Sequence, residues 1–330
     1  IKYQKKLESL MDEFKIIKSY FRKLTINNPS ALKLNDDVFF DKKKQLVVSI
    51  DTYNEGIHYI NFKNPQFVIK KIIRSSISDL FCKGVKPKYI FLSGSGNKNH
   101  FNKKNMKLIS KSISEEQKKF NIKLSGGDTV TSKKSSFSIT TLGFSKKIIK
   151  RNNAKIGDDI YVTGNLGDSY VGLNILKNKN ILSKKKLKNY FIKKYYHPDL
   201  PTKIYKYLFK FVNSSIDISD GLFSDLKKLV NKQKCGFDVF INNIPISKNL
   251  KYYLKKGNKN MVNYISRGDD YQIIFTCSKR NRSYVKTLSK RINQKISLIG
   301  TITNQTYQYR IISNRKQLKS LNYEGYLHKF

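Results

Sequence analysis

Short runs of β-forming residues alternate with amphipathic helical stretches through both halves of the chain, and this alternation most constrains its fold. Leu46 to Ile50, Tyr89 to Leu92 and Phe137 to Phe144 read as strands in the first half, with Ile160–Thr163, Ile216–Ile218, Phe237–Ile241 and Gln272–Cys277 in the second. Between them, Tyr3 to Lys23, Pro65 to Lys83 and Asn105 to Phe120 carry a helical period. Pro65 opens the second of these helices and Gly84 follows it as a cap. A bundle is excluded, and α+β or α/β architecture follows. At 330 residues the chain exceeds what one core usually serves. A two-domain division follows, at 1–145 and 146–330, with the second unit opening on the charged stretch from Lys146. Leu182 to Lys194, dense in Lys, reads as a solvated surface helix.

Charge offers a competing reading. The 66 Lys and Arg outnumber the 23 Asp and Glu, for a net charge of +43. Such a balance suits a polyanion partner, and a nucleic-acid-binding protein is the alternative from another class. The excess Lys is spread along the chain, however, and the same sequence has 21 Tyr, 20 Phe, 6 Pro and no Trp, as an AT-rich coding sequence would give. No specific nucleic-acid partner is expected. Cys82, Cys235 and Cys277 are far apart and form no CxxC, which fits a reducing cytoplasm. No apolar run is long enough to span a membrane, and no signal-peptide pattern opens the sequence.

In so basic a chain the carboxylates are the informative residues. Asp36-Asp37, Asp51, Asp79, Asp128, Asp217, Asp220 and Asp269-Asp270 stand at the ends of apolar runs or beside Gly, where rigid scaffolds present loops. Taken singly, each also reads as a turn former or helix cap. Converging carboxylates repel one another, and Mg²⁺ with substrate phosphates relieves that repulsion. Ser125-Gly126-Gly127-Asp128-Thr129 and Thr163-Gly164-Asn165-Leu166-Gly167-Asp168 could bring backbone N–H groups to a phosphate. Neither fits the Walker A pattern.

Taken in order, these segments resemble the thiamine-monophosphate kinase family, within the aminoimidazole-ribonucleotide-synthetase-like (PurM-like) superfamily. Asn35-Asp36-Asp37 is similar to its GDD, and Ser49-Ile50-Asp51-Thr52 with Gly56-Ile57-His58 to STDTxxxGxHF. Ser76-Ile77-Ser78-Asp79-Leu80 resembles NLSDLAAMG, and Gly126-Gly127-Asp128-Thr129 resembles GGDTT. Ile216-Asp217-Ile218-Ser219-Asp220-Gly221-Leu222 is the sharpest match. Gly268-Asp269-Asp270-Tyr271 resembles GGEDYE, and Gly325-Tyr326-Leu327-His328 resembles GYDHF.

The resemblance implies a PurM-like N-terminal sheet domain that pairs into a dimeric β-barrel, plus a C-terminal α/β domain. It implies an ATP- and Mg²⁺-dependent kinase acting on thiamine monophosphate as a homodimer, with sites between domains. By position, Asp37, Ser49, Ile50 (through its carbonyl), Asp51, Asp79, Asp128, Asp217 and Asp220 hold several Mg²⁺ ions. Gly127, Asp128, Arg151 and Ser219 contact ATP, and His58, Asp269 and Tyr326 line the thiamine-phosphate pocket. The chain departs from the pattern at Asn35, Phe39, Ile50, Ser76, Arg267, Asp269 and Leu327. A superfamily sibling and a catalytically weak relative remain alternatives. A selenophosphate synthetase would carry a reactive Cys in an N-terminal glycine-rich loop, and a hydrogenase-maturation protein would end in Cys. This chain shows neither.

Overall fold

The computed structural model describes residues 12–178, 182, 184–313, 316–318 and 325–326. Its N-terminal sheet contains β1 (Phe39–Asp41), β2 (Leu46–Asn54), β3 (Pro87–Gly96), β4 (Lys123–Gly126), β5 (Thr129–Thr131) and β6 (Ser136–Phe144), in the order β1-β2-β6-β3-β4 with β5 also on β3. β2 and β6 pair antiparallel from Leu46↔Phe144 to Asn54↔Ser136. Side chains alternate across the pleat. Val47, Ser49 and Tyr53 are therefore buried under the Pro65–Cys82 helix, while Ile50 and Thr52 face outward.

That helix is central to the first half. Val68, Ile69, Ile72, Ile73 and Ile77 are buried in one cluster with Phe137 and Ile139 of β6 and with Ile109 and Ile113 of the Lys103–Phe120 helix. Each such side chain stabilises the fold by roughly 1.5–3 kcal/mol through burial. The other face of the sheet keeps Ile50, Phe91, Val130 and Phe144 exposed.

The second sheet contains β7 (Asp159–Thr163), β8 (Ser214–Asp217), β9 (Gly236–Phe240), β10 (Ile273–Cys277), β11 (Ile296–Thr303), β12 (Tyr309–Ser313) and β13 (Lys316–Leu318). Its order is β13-β12-β9-β11-β7-β10-β8. β7, β8 and β10 are buried throughout, as strands covered on both faces must be. The Leu222–Val230 helix packs on one face with Leu222, Leu226 and Leu229, and Leu208, Phe211 and Leu288 cover the other.

Two sequence expectations shift. The residues of the first expected helix that are described form an α turn at Glu13–Ile16, then a π turn at Ile17–Phe21 and a 3₁₀ turn at Arg22–Thr25, with nothing buried. Residues 3–11 lie outside the described residues, as do Leu327 and His328 of the tail motif. The Lys-dense surface helix is Lys185–Tyr196, and it is not merely solvated: Phe191, Tyr195 and Tyr196 are buried, and the last two join the N-terminal core. Its lysine heads reach solvent while the aromatic rings between them pack inward.

Candidate active site

A cleft of about 660 Å³ opens between the two sheets. Six chain segments bring carboxylates to it: Glu13 in the turn Glu13–Ile16, Asp36-Asp37 before β1, Asp51 on β2, Asp79 on the Pro65–Cys82 helix, Asp217-Ser219-Asp220 at the end of β8, and Asp269 before β10. Ile50, His58, Arg151 and Tyr326 line the same cleft. Among the residues singled out from sequence, Ser49 sits one layer behind, its hydroxyl bonded to the Asp79 carboxylate. The Ile50 side chain points to the opposite sheet face and is 70% exposed. Gly127 and Asp128 are exposed at the β4–β5 edge and are not part of the cleft lining.

Two glycines hold the loop after β8 against the loop before β10. Gly221 has φ +124° and Gly268 has φ +74°. A Cβ on Gly221 would stand 2.3 Å from the Ser266 carbonyl oxygen, and one on Gly268 would stand 2.0 Å from that of Ser219. Only glycine tolerates both the backbone and the approach. The contact lets Asp269 N–H donate to Ser219 O at 2.9 Å and Tyr271 N–H donate to Ile218 O at 2.8 Å. Asp217, Ser219, Asp220 and Asp269 are thereby fixed relative to one another.

The electrostatics divide the carboxylates into two kinds. Burial opposes ionisation of Asp37, but Arg151 and Lys83 outweigh it and hold the carboxyl well below its usual range. Burial pushes Asp51 up to about 6, helped by Asp37. Burial also raises Asp217 to about 7, again helped by Asp37, although the Ser78 hydroxyl opposes the shift. Asp79 is driven well above the ordinary value, by burial and then by Asp51, Asp217 and Asp37. One set of acids therefore has cationic partners, and the other repels itself.

Several functional neighbours escaped the sequence reading. Lys83, with no exposed side-chain surface, pairs with Asp36 at 2.7 Å and Asp37 at 2.6 Å. Lys228 pairs with Asp220 and, at 2.9 Å, with Asp225. Lys71, 1% exposed, meets Asp269 at 2.6 Å, where the Tyr271 hydroxyl also donates at 2.9 Å. The available signal was a Lys embedded in an apolar helix, as Lys71 is between Ile69 and Ile72. Among 66 basic residues it does not stand out.

Among the described residues, no group of three or more His, Cys, Asp or Glu side chains is arranged to hold a metal unaided. Mg²⁺ needs no such group, because it binds through one or two carboxylates and completes its shell with water and substrate phosphates. Asp51, Asp79 and Asp217 offer hard oxygen donors in a shared cleft and are destabilised as anions there, so the donor set fits such a cation. Asp220 does not fit in the same way, since Lys228 already bridges its carboxylate.

Residues 34–145 match the model for the AIR synthase related protein, N-terminal domain, and residues 155–312 match that for the C-terminal domain. The thiamine-monophosphate kinase of Buchnera aphidicola subsp. Acyrthosiphon pisum is 35% identical over 93% of this chain and 95% of its own. The Escherichia coli K12 enzyme of the same name is 28% identical over 96% and 98%. Among solved structures, AaThiL complexed with AMPPCP and TMP superposes with a TM-score of 0.82 at 24% identity, covering 96% of this chain and 97% of that one. The hydrogenase maturation protein HypE of E. coli gives 0.67 at 14%, covering 94% and 98%, and shares the fold.

Proposed function

Because this chain belongs to the thiamine-monophosphate kinase family and carries both AIR synthase related domains, we propose that its cleft transfers the γ-phosphoryl group of ATP to thiamine monophosphate, giving thiamine diphosphate. The observation that carries this reading is the convergence of Asp37, Asp51, Asp79, Asp217 and Asp220 with Arg151 on one cleft. A phosphate acceptor is already an anion at neutral pH, so no general base is needed. The barrier lies in aligning two anions, which calls for positioning and charge neutralisation.

Asp51, Asp79 and Asp217 would hold Mg²⁺, which neutralises phosphate charge when bound. Ser49 orients Asp79 and Ser78 orients Asp217 through their hydroxyls. Arg151, beside Asp37 at 3.5 Å, adds a fixed positive charge toward the phosphates. Ser219 faces the nucleotide end of the cleft. Gly127 and Asp128, at the sheet edge, reach a nucleotide that extends beyond the lining. His58, Asp269 and Tyr326 bound the thiamine end, and Asp269 supplies negative charge suited to a cationic thiazolium ring.

A homodimer follows the family resemblance. The exposed sheet face bearing Ile50, Phe91 and Val130 is what a second copy would cover on closing a barrel. A domain boundary at 145/146 would lie between the last strand of one sheet, ending at Phe144, and the first of the other, starting at Asp159. Free Cys82, Cys235 and Cys277, all buried, suit a reducing cytoplasm. Among the described residues no helix is long and apolar enough to cross a membrane.

Turnover with two acceptors tests the reading. Thiamine monophosphate should be converted in the presence of ATP and Mg²⁺, and thiamine should not, because it lacks the phosphate nucleophile. Phosphorylation of thiamine but not of its monophosphate would refute the mechanism.

A further inference from the structure

Lys83 caps the C-terminal end of the Pro65–Cys82 helix, one turn beyond Asp79, and is sealed from solvent. Its ammonium lies 2.7 Å from Asp36 Oδ1 and 2.6 Å from Asp37 Oδ2, and donates to the Ser215 carbonyl oxygen at 3.1 Å. Arg151 approaches the remaining oxygen of Asp37 at 3.5 Å. Both oxygens of Asp37 therefore face fixed cations. Among the described residues, Asp51, Asp79 and Asp217 make no ion pair; the Ser49 hydroxyl donates to Asp79 and the Ser78 hydroxyl to Asp217. The arrangement at Asp37 recurs at the far end of the acidic set, where Lys228 bridges Asp220 and Asp225.

We propose that Lys83 is a built-in counter-cation of the active site: its ammonium replaces a divalent ion at Asp37, confining metal binding to Asp51, Asp79 and Asp217. The inference rests on the kinase reading of the cleft and adds a positioning residue to it. A buried ammonium held by two carboxylates and a carbonyl is electrostatically satisfied and has no reason to leave when substrate arrives. Without it, two buried carboxylates would share Arg151 and would draw in another cation.

The test counts bound Mn²⁺ per subunit by electron paramagnetic resonance, with a non-hydrolysable ATP analogue and thiamine monophosphate present. Asp37→Asn should leave the count unchanged, because Lys83 and Arg151 rather than a metal face that side chain, whereas Asp51→Asn should lower it. Lys83→Met, if it folds, should bind about one ion more than the wild type as a divalent cation takes the vacated position. Loss of an ion in Asp37→Asn, or an unchanged count in folded Lys83→Met, overturns the proposal. No Mn²⁺ bound by the wild type overturns the kinase reading of the cleft as well, which separates the two failures.

Discussion

Lys71 and Asp269 form an ion pair whose partners differ in exposure, so removing one should cost more than removing the other. Lys71 is 1% exposed and lies 3.9 Å over the Tyr195 ring, whereas Asp269 is 27% exposed and opens on the cleft. In Lys71→Met, Asp269 keeps the Tyr271 hydroxyl and cleft water, and the cost of burying an ammonium disappears. A charged hydrogen bond contributes about 1.5–3 kcal/mol, so after that relief we expect a loss near 1 kcal/mol. In Asp269→Asn the ammonium stays sealed without its counter-charge. Breaking a buried pair from one side costs about 3–5 kcal/mol, and the retained amide oxygen places this case near 3 kcal/mol.

The double variant has no cation left to strand and should resemble Lys71→Met, giving a coupling near 3 kcal/mol. Urea unfolding of the four proteins measures it. Burial lowers the Lys71 pKa despite the opposing pull of Asp269. The folded state therefore holds fewer protons than the unfolded one as pH approaches 10.5, and stability rises with pH there. Asp269→Asn removes the opposing pull, so its deficit should shrink as pH rises. Additive losses within about 0.5 kcal/mol, or equal damage from the two single variants, would refute this reasoning.

Two further outcomes follow from the core and its edge. Arg74→Met should lower stability by about 3–5 kcal/mol in calorimetry, because it strands Glu116, only 2% exposed, which now takes paired bonds from the guanidinium at 2.7 and 2.8 Å. Burial, with Arg74 and Lys70 nearby, holds His197 down to about 4. The unfolded chain then binds the extra proton between about pH 6.5 and 4, so stability should fall with pH across that window, and His197→Phe should flatten the slope.

Much of the site was legible because Asp at the end of a short apolar run, beside Gly or Ser, has few ways to be accommodated. Asp217-Ile218-Ser219-Asp220-Gly221 is the clearest case, and the φ of +124° at Gly221 gives its physical reason. Asp51 was expected at a strand end, yet β2 runs on to Asn54 because Tyr53 is buried in the same pleat. β11 and β12 were not legible: Gly300 interrupts one, and Arg310, paired with Asp238 at 2.6 Å, disguises the other. The counter-ions were hidden for a different reason. Burial of a lysine depends on a carboxylate supplied by a distant segment, as Asp269 is for Lys71, and no local pattern records that.

The proposed role of the convergent carboxylates is to hold the cation that makes thiamine diphosphate formation possible. It is tested most directly by following thiamine diphosphate made from ATP and thiamine monophosphate across a Mg²⁺ titration, in the wild type and in Asp217→Asn. We predict product with the wild type, and a loss of at least about 100-fold in the isosteric variant that added Mg²⁺ repairs only in part. A folded Asp217→Asn protein that forms product at the wild-type rate with the same Mg²⁺ dependence would contradict the account.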